Sequence, residues 1–343
     1  MANTADESLG SSRFNYPPGM RRRQLMQMGA GGALARASLA GAQPSRSAAA
    51  DKSVPIIDAH IHVYDTNRRE GVPWPPKGDV IYGPKLPPTY DTLARPLGVV
   101  GAVAVEASPW EQDNFWLLDI VHKNDIMVGF VGNLVPGSDK YDADLERLAR
   151  EPIFLGIRYG NLWDRDLRTD LPKPGFVAGL KKLAQAGRAL DSANPTPDLI
   201  AALLEVGNKV PDLRIIVDHL PAAKVGEGQH VRYFRDLQEL ASRPNVFVKL
   251  SEMPRSIEGA PNFDEAYYHD QLELLWEIFG EDKVIFGSDW PNSEHLGSLE
   301  QTIGLVEVFM RSKGGAAQEK YFWRNSAAAY HWTPRRSDQP QPT

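Results

Sequence analysis

The chain has 343 residues, a formal net charge of −6 and no cysteine. That length accommodates one large domain, and the missing cysteines exclude disulfides, thiolate nucleophiles and thiolate metal ligands together, so any catalysis has to run on His, Asp, Glu, Lys, Ser, Tyr or Arg. The acidic balance argues against nucleic acid as a partner, because binding a phosphate backbone needs a basic footprint.

Residues 1–42 are rich in Ala, Gly, Ser and Arg. Arg21-Arg22-Arg23 leads into a weakly apolar stretch and then a small-residue end at Ala40-Gly41-Ala42. This is the order of a secretory leader, and the paired arginines point to the twin-arginine kind. Arg36, inside the apolar stretch, is the feature that suits a disordered basic tail instead. The segment is too short to span a bilayer as a mature helix. The expectation is a periplasmic or secreted protein with no membrane contact in its mature form, and 43–53 as a linker; without export the protein would be cytoplasmic.

From Val54 onward, short apolar runs alternate with amphipathic ones. Strands are predicted over 56–63, 99–105, 127–133, 154–158, 188–191, 214–219, 246–250 and 284–288. Helical stretches lie between most of them, for example 115–123, 141–150, 197–208, 233–242 and 271–279. Thr196-Pro197 reads as an N-cap followed by a first-turn proline, and Gly280 stands where a helix would stop. Regular alternation over 54–333, with strands apolar on both faces, suits a parallel TIM-type (β/α)8 barrel. The rival is a doubly wound open sheet, but the sequence has no Gly-x-Gly-x-x-Gly after a strand, no Gly-Lys-Ser/Thr loop and no Gly-x-Ser-x-Gly elbow. Two long loops, 67–90 and 252–268, follow the first and seventh strands and would sit on the C-terminal face, where barrel active sites are built. Residues 334–343 read as a disordered tail.

Alternate side chains of a strand share a face, so His60 and His62 project into one space. Spacing alone is equally satisfied by one packed histidine and one incidental one. Reading each strand to its end adds Glu106, Arg158 with Tyr159, Asp218-His219, Lys249 with Ser251, and Ser288-Asp289. A barrel gathers these ends into one ring, and because buried ionisable groups without partners are costly, three histidines and an aspartate there point to chemistry. Simpler roles exist for the rest: Arg158 and Glu106 could be ion-pair mates, and Lys249 could be structural. Asp218, facing away from His219 by alternation, would be a helix cap or salt-bridge group. His122, His230, His269, His295 and His331 fall in helical, loop or terminal background.

Five motifs then stand in order: Ile57-Asp58-Ala59-His60-Ile61-His62, Phe154-Leu155-Gly156-Ile157-Arg158, Ile216-Val217-Asp218-His219-Leu220, Val248-Lys249-Leu250-Ser251 and Phe286-Gly287-Ser288-Asp289-Trp290-Pro291. Together they resemble the amidohydrolase-related (amidohydrolase 2) proteins, and most of all their lactonase branch of fuconolactonase-like and pyrone-dicarboxylate lactonase-like enzymes. The resemblance runs over roughly 54–332, and Asn325-Ser326-Ala327-Ala328-Ala329-Tyr330 is similar to the family's last helix. It implies a distorted (β/α)8 barrel in which Asp289 activates water while His60, His62 and His219 polarise the scissile carbonyl. It implies the same four residues as ligands of one divalent metal, Zn or Mn, if a metal is bound, although metal-independent activity also occurs in the branch. Arg158, with Glu106, Tyr159 and Ser251, would contact the substrate. No lysine ends strand four or five to bridge two metals, which argues against a binuclear site.

The implied function is opening of a sugar lactone or carboxylated lactone, with a small molecule as the partner. A lactone's leaving alkoxide stays tethered, so one carboxylate that takes a proton and returns it would suffice. The alternatives are metal-dependent non-oxidative decarboxylation and an exported binding protein without turnover. A pure binder has no need for a base and an electrophile together.

Overall fold

The computed structural model describes residues 54–219 and 229–342; the expected leader and linker lie outside them. Eight parallel strands follow one another in a single sheet: β1 (Ile56–His62), β2 (Val99–Val105), β3 (Met127–Gly132), β4 (Phe154–Arg158), β5 (Ala189–Ser192), β6 (Ile215–Val217) and β7 (Val246–Leu250) come first. An antiparallel hairpin of β8 (Arg255–Ile257) and β9 (Ala260–Asn262) interrupts the sequence, and β10 (Val284–Phe286) completes the sheet beside β7. The ladder closes just beyond the end of β10. His62 N donates to Trp290 O at 2.7 Å and Asp289 N to His60 O at 2.9 Å, so the barrel is sealed by the segment that carries Asp289 meeting the strand that carries both histidines.

Strands apolar on both faces divide their side chains as a barrel requires. Ile57, Val103, Leu155, Ile216 and Ile285 form an inner cluster with Trp323, Tyr330 and Trp332 from the chain's last turns. Ala102, Phe130, Phe154, Leu190 and Phe286 pack instead in the layer shared with the helices. The helix Pro197–Lys209 begins as read: Thr196 Oγ1 accepts from Leu199 N at 3.3 Å, with Pro197 in the first turn. Gly280 ends the helix Glu265–Phe279 at φ 76°, and this helix is longer than expected because Asp264 caps it, accepting from Ala266 N. The expected loop 67–90 gives way to the helix Pro87–Ala94, and the expected loop 252–268 holds the β8–β9 hairpin.

β6 stops at Val217 and β10 at Phe286, each two residues short of expectation. Just beyond them His219 and Asp289 have φ of 69° and 60°, a left-handed conformation outside the strand region, and past β10 the backbone bonds on to β1 through the closure contacts of Asp289 and Trp290. Among the described residues no helix is long and apolar enough to cross a membrane.

The segment 334–343, expected as a disordered tail, is bound to the barrel floor as far as it is described. Arg335 donates to the carbonyls of Val121, His122, Asn124 and Met127, closing the C-terminal end of the helix Asp113–Lys123, where carbonyls lack partners. Gln339 is buried and donates to Val100 O and Asp125 O. The polar side chains of this segment satisfy backbone acceptors. Removing 334–343 should therefore lower stability by about 2 to 3 kcal/mol, seen as a fall in urea midpoint with unchanged slope; an unchanged midpoint would show the contacts to be worth nothing.

Candidate active site

β1 brings His60 and His62 into the barrel mouth with their ring centroids 5.0 Å apart. Asp58, one turn of the pleat earlier, is buried and structural: Oδ1 accepts from His60 N at 3.1 Å and Ser288 N at 2.9 Å, and Oδ2 from Tyr90 OH at 2.6 Å. It ties β1 to the segment after β10. Gly287 makes that approach possible, because a Cβ there would stand 2.7 Å from His60 Cβ.

Asp289 then lies under both imidazoles. Its Oδ1 is 3.2 Å from His62 Nε2 and 3.6 Å from His60 Nε2, while Oδ2 accepts from Asn292 Nδ2 at 2.8 Å. Asn292 thus occupies one oxygen and leaves the other facing the histidines. His62 Nδ1 is 3.0 Å from Val105 O, which can only accept, so that nitrogen carries the proton and a neutral His62 turns a lone pair toward Asp289. Two such acceptors at 3.2 Å need a proton or a cation between them.

Electrostatics sharpen this arrangement. Burial pushes the His60 imidazole well below its ordinary value, and the Lys249 charge adds to that, so the ring is neutral. Burial alone would raise Asp289, but once a proton stands between it and His62 Nε2, that hydrogen bond and the surrounding imidazoles outweigh burial and hold the carboxyl well below the usual carboxylate range. Asp289 is then ionised, and a poor proton acceptor unless the water it serves is made acidic.

Of the four expected metal ligands, three converge. Donor atoms of His60, His62 and Asp289 lie within 4.8 Å of one another, and His60 Nε2 and Asp289 Oδ1 are buried with no hydrogen-bond partner. Two imidazole nitrogens, one carboxylate oxygen and orphaned donor atoms fit a divalent cation. His219 stands outside that donor set. Its ring is 4.9 Å from that of His60, with Nδ1 held 3.1 Å from Ser251 Oγ. Ser251, expected at the substrate, positions His219 instead.

The other expected substrate contacts are each engaged with protein groups. Buried Arg158 donates through Nε to Glu106 Oε1 at 2.8 Å and through Nη2 to Glu106 O at 2.9 Å, and its Nη1 is 3.9 Å from Asp218 Oδ2. Glu106 also accepts from Ser108 N at 3.0 Å and from Trp163 Nε1 at 2.9 Å. Tyr159 OH donates to Asp170 Oδ2 at 2.5 Å, with its ring against Phe176 in the helix layer. Asp218 was expected to face away from His219. The left-handed turn at His219 breaks the alternation, and Asp218 Oδ1 lies inside the barrel, 3.6 Å from His60 Nδ1.

Lys249, Asp191, Asn292 and Trp74 went unassigned or undervalued in the sequence. Lys249 had a signal, since a lysine inside the apolar run 246–250 has no water to reach. Trp74, in the long loop after β1, sets its ring edge-on to His62 at 5.6 Å.

A parallel (β/α)8 barrel with a buried His, His, Asp donor set at its C-terminal mouth defines the class: a TIM-barrel hydrolase with a metal-type centre. The comparisons make this specific. The amidohydrolase family profile matches residues 57–332, and the chain belongs to that family. It is 31% identical over 290 residues to an L-fucono-1,5-lactonase of Burkholderia ambifaria, covering 82% of this chain and 98% of the relative. It is 27% identical over 262 residues to a 4-sulfomuconolactone hydrolase of Rhizobium radiobacter, covering 74% and 81%. A crystal structure of an amidohydrolase from Burkholderia multivorans with bound zinc superposes with a TM-score of 0.70 at 21% identity, covering 81% of this chain and 99% of that one. The chain is an enzyme, a lactonase-like hydrolase of the amidohydrolase superfamily.

Proposed function

We propose that this enzyme opens a neutral sugar lactone, with Asp289 taking the proton from the attacking water. The observation that carries the reading is the free Asp289 Oδ1, directed by Asn292 at the space beneath His60 and His62. Attack forms the bond from water oxygen to the carbonyl carbon while Asp289 Oδ1 receives the proton. Collapse breaks the ring ester bond, and Asp289 returns the proton to the tethered alkoxide. His60 and His219 stand beside this space as partners for the oxygen that gains charge. A divalent cation held by His60, His62 and Asp289 would supply Lewis acidity and acidify water, the assistance that a strongly acidic carboxyl needs. The zinc of the Burkholderia multivorans amidohydrolase makes zinc the first metal to test.

A neutral substrate is favoured because Arg158, expected at the substrate and the cation best suited to a substrate carboxylate, is already paired with Glu106. The lactonase relative of Burkholderia ambifaria, named for a sugar lactone, points the same way. Purified enzyme, assayed for metal content and offered neutral and carboxylated lactones with a pH indicator, should release protons fastest with the neutral ones. Carbon dioxide release from a carboxylated aromatic acid, with no lactone turnover, would establish the decarboxylase instead.

Export by the 1–42 leader belongs to the same reading. Because β1 starts at Ile56, a chain lacking 1–42 should keep its melting temperature and its kcat. A clear loss of melting temperature would make that segment part of the fold.

A further inference from the structure

Lys249 is fully buried in the barrel interior below the reacting centre. Its Nζ lies 2.6 Å from Asp191 Oδ2, 2.9 Å from Asp218 Oδ1 and 3.3 Å from His60 Nδ1. An ammonium has donors only, so His60 Nδ1 accepts from it. A neutral imidazole accepting at Nδ1 carries its proton on Nε2, the atom 3.6 Å from Asp289 Oδ1. His62 is the reverse, protonated on Nδ1 by its contact with Val105 O. Two neighbouring imidazoles therefore present opposite chemistry to one space: His60 a donor, His62 a lone pair.

A competitor for His60 Nδ1 is already in place. Asp218 Oδ1 is 3.6 Å from it, and neither Asp218 oxygen is engaged in a hydrogen bond, although the carboxylate is ion-paired with Lys249. An imidazole that binds a metal through Nε2 needs its proton on Nδ1, ordinarily given to a carboxylate or carbonyl.

We propose that Lys249 and Asp218 select the tautomer of His60, and so decide whether that ring serves the reaction as a hydrogen-bond donor or as a metal ligand. With Lys249 donating to Nδ1, the ring directs Nε2–H at the oxygen that gains charge. With Nδ1–H given to Asp218, Nε2 offers the lone pair a cation requires. The ring holds one N–H in both states, so the proton count of the site is unchanged and no external acid or base enters the balance. Lys249 opposes cation binding by its charge and by the tautomer it holds; Asp218 favours cation binding on both counts. Both are positioning residues, since they act through His60. The inference rests on the reading of this mouth as the reacting centre, but its test uses no turnover, so the two can fail separately.

The direct test is the long-range proton–nitrogen imidazole spectrum of the 15N-labelled full chain after metal removal, with the His60 ring identified by its absence in His60→Gln. The expected pattern is a protonated Nε2 and bare Nδ1 for His60 and the opposite for His62, with His60 alone reversing on addition of one equivalent of zinc chloride. A metal-free His60 already protonated on Nδ1 overturns the proposal, and this arm needs no variant of Lys249. For the variants, Asp191→Asn accompanies Lys249→Met so that the buried charge stays balanced. That pair should raise zinc affinity about tenfold or more, read by chelator competition, and move the metal-free His60 proton to Nδ1. Asp218→Asn should lower zinc affinity about tenfold with the Nε2 proton retained. Tighter zinc binding without a change of tautomer would mean Lys249 acts by charge alone and overturns the selector, as would failure of the wild type and the Lys249→Met/Asp191→Asn pair alike to bind zinc. If the pair does not fold, the wild-type spectrum still decides.

Discussion

Asp289→Asn should lower kcat by at least about a hundredfold and leave the fold intact. Asn keeps the shape of the side chain, tolerates the left-handed φ of 60° at this position, and can turn its oxygen to Asn292 Nδ2. What it loses is the charge and basicity of Oδ1. The group is already ionised well below the ordinary carboxylate range, so the acid limb of kcat/KM should not follow a titration near pH 4 from this residue. Metal content has to be measured in the same preparations. A rate loss with metal unchanged assigns Asp289 as base, and loss of metal together with rate adds a ligand role. Undiminished activity in the Asn variant would sink both assignments and the hydrolytic mechanism with them.

Arg158→Met should unfold more easily than wild type by about 3 to 5 kcal/mol, because it leaves Glu106 buried beside an apolar side chain with its charge uncompensated. Trp163 and the Ser108 amide would still hold that carboxylate, but neither carries a positive charge. Adding Glu106→Gln to Arg158→Met should recover a good part of the loss, since the pair then buries no lone charge. Denaturant unfolding of the two variants checks this. A single variant with wild-type stability and only a raised KM would return Arg158 to the substrate. The sequence allowed both roles, and the 2.8 Å contact with Glu106 is what favours the ion pair.

How far each residue was legible depended on the range of the rule used to read it. His60 and His62 could be paired from sequence because period two is a property of one strand. The strands were visible because burial on both faces leaves a continuous apolar run, and Thr196 and Gly280 were visible because caps act on the next turn. Asp289 and His219 were found at strand ends, but the left-handed turns they make were not visible, and with the turn at His219 the alternation argument for Asp218 failed. The polar tail was misread for a related reason: Arg335 and Gln339 bond to carbonyls at the ends of elements more than 200 positions away in the chain.

The barrel, the histidine pair, the aspartate opposite it and the family are legible in the chain because all of them rest on local periodicity or on short motifs. Which of the charged groups meet is settled by folding. It joined Arg158 to Glu106, kept His219 out of the metal-type donor set, and brought Lys249 between Asp191, Asp218 and His60. Strand period assigns a side chain to a face, but barrel closure and the register between strands determine its neighbours, and in a buried site the neighbours determine charge, tautomer and chemistry.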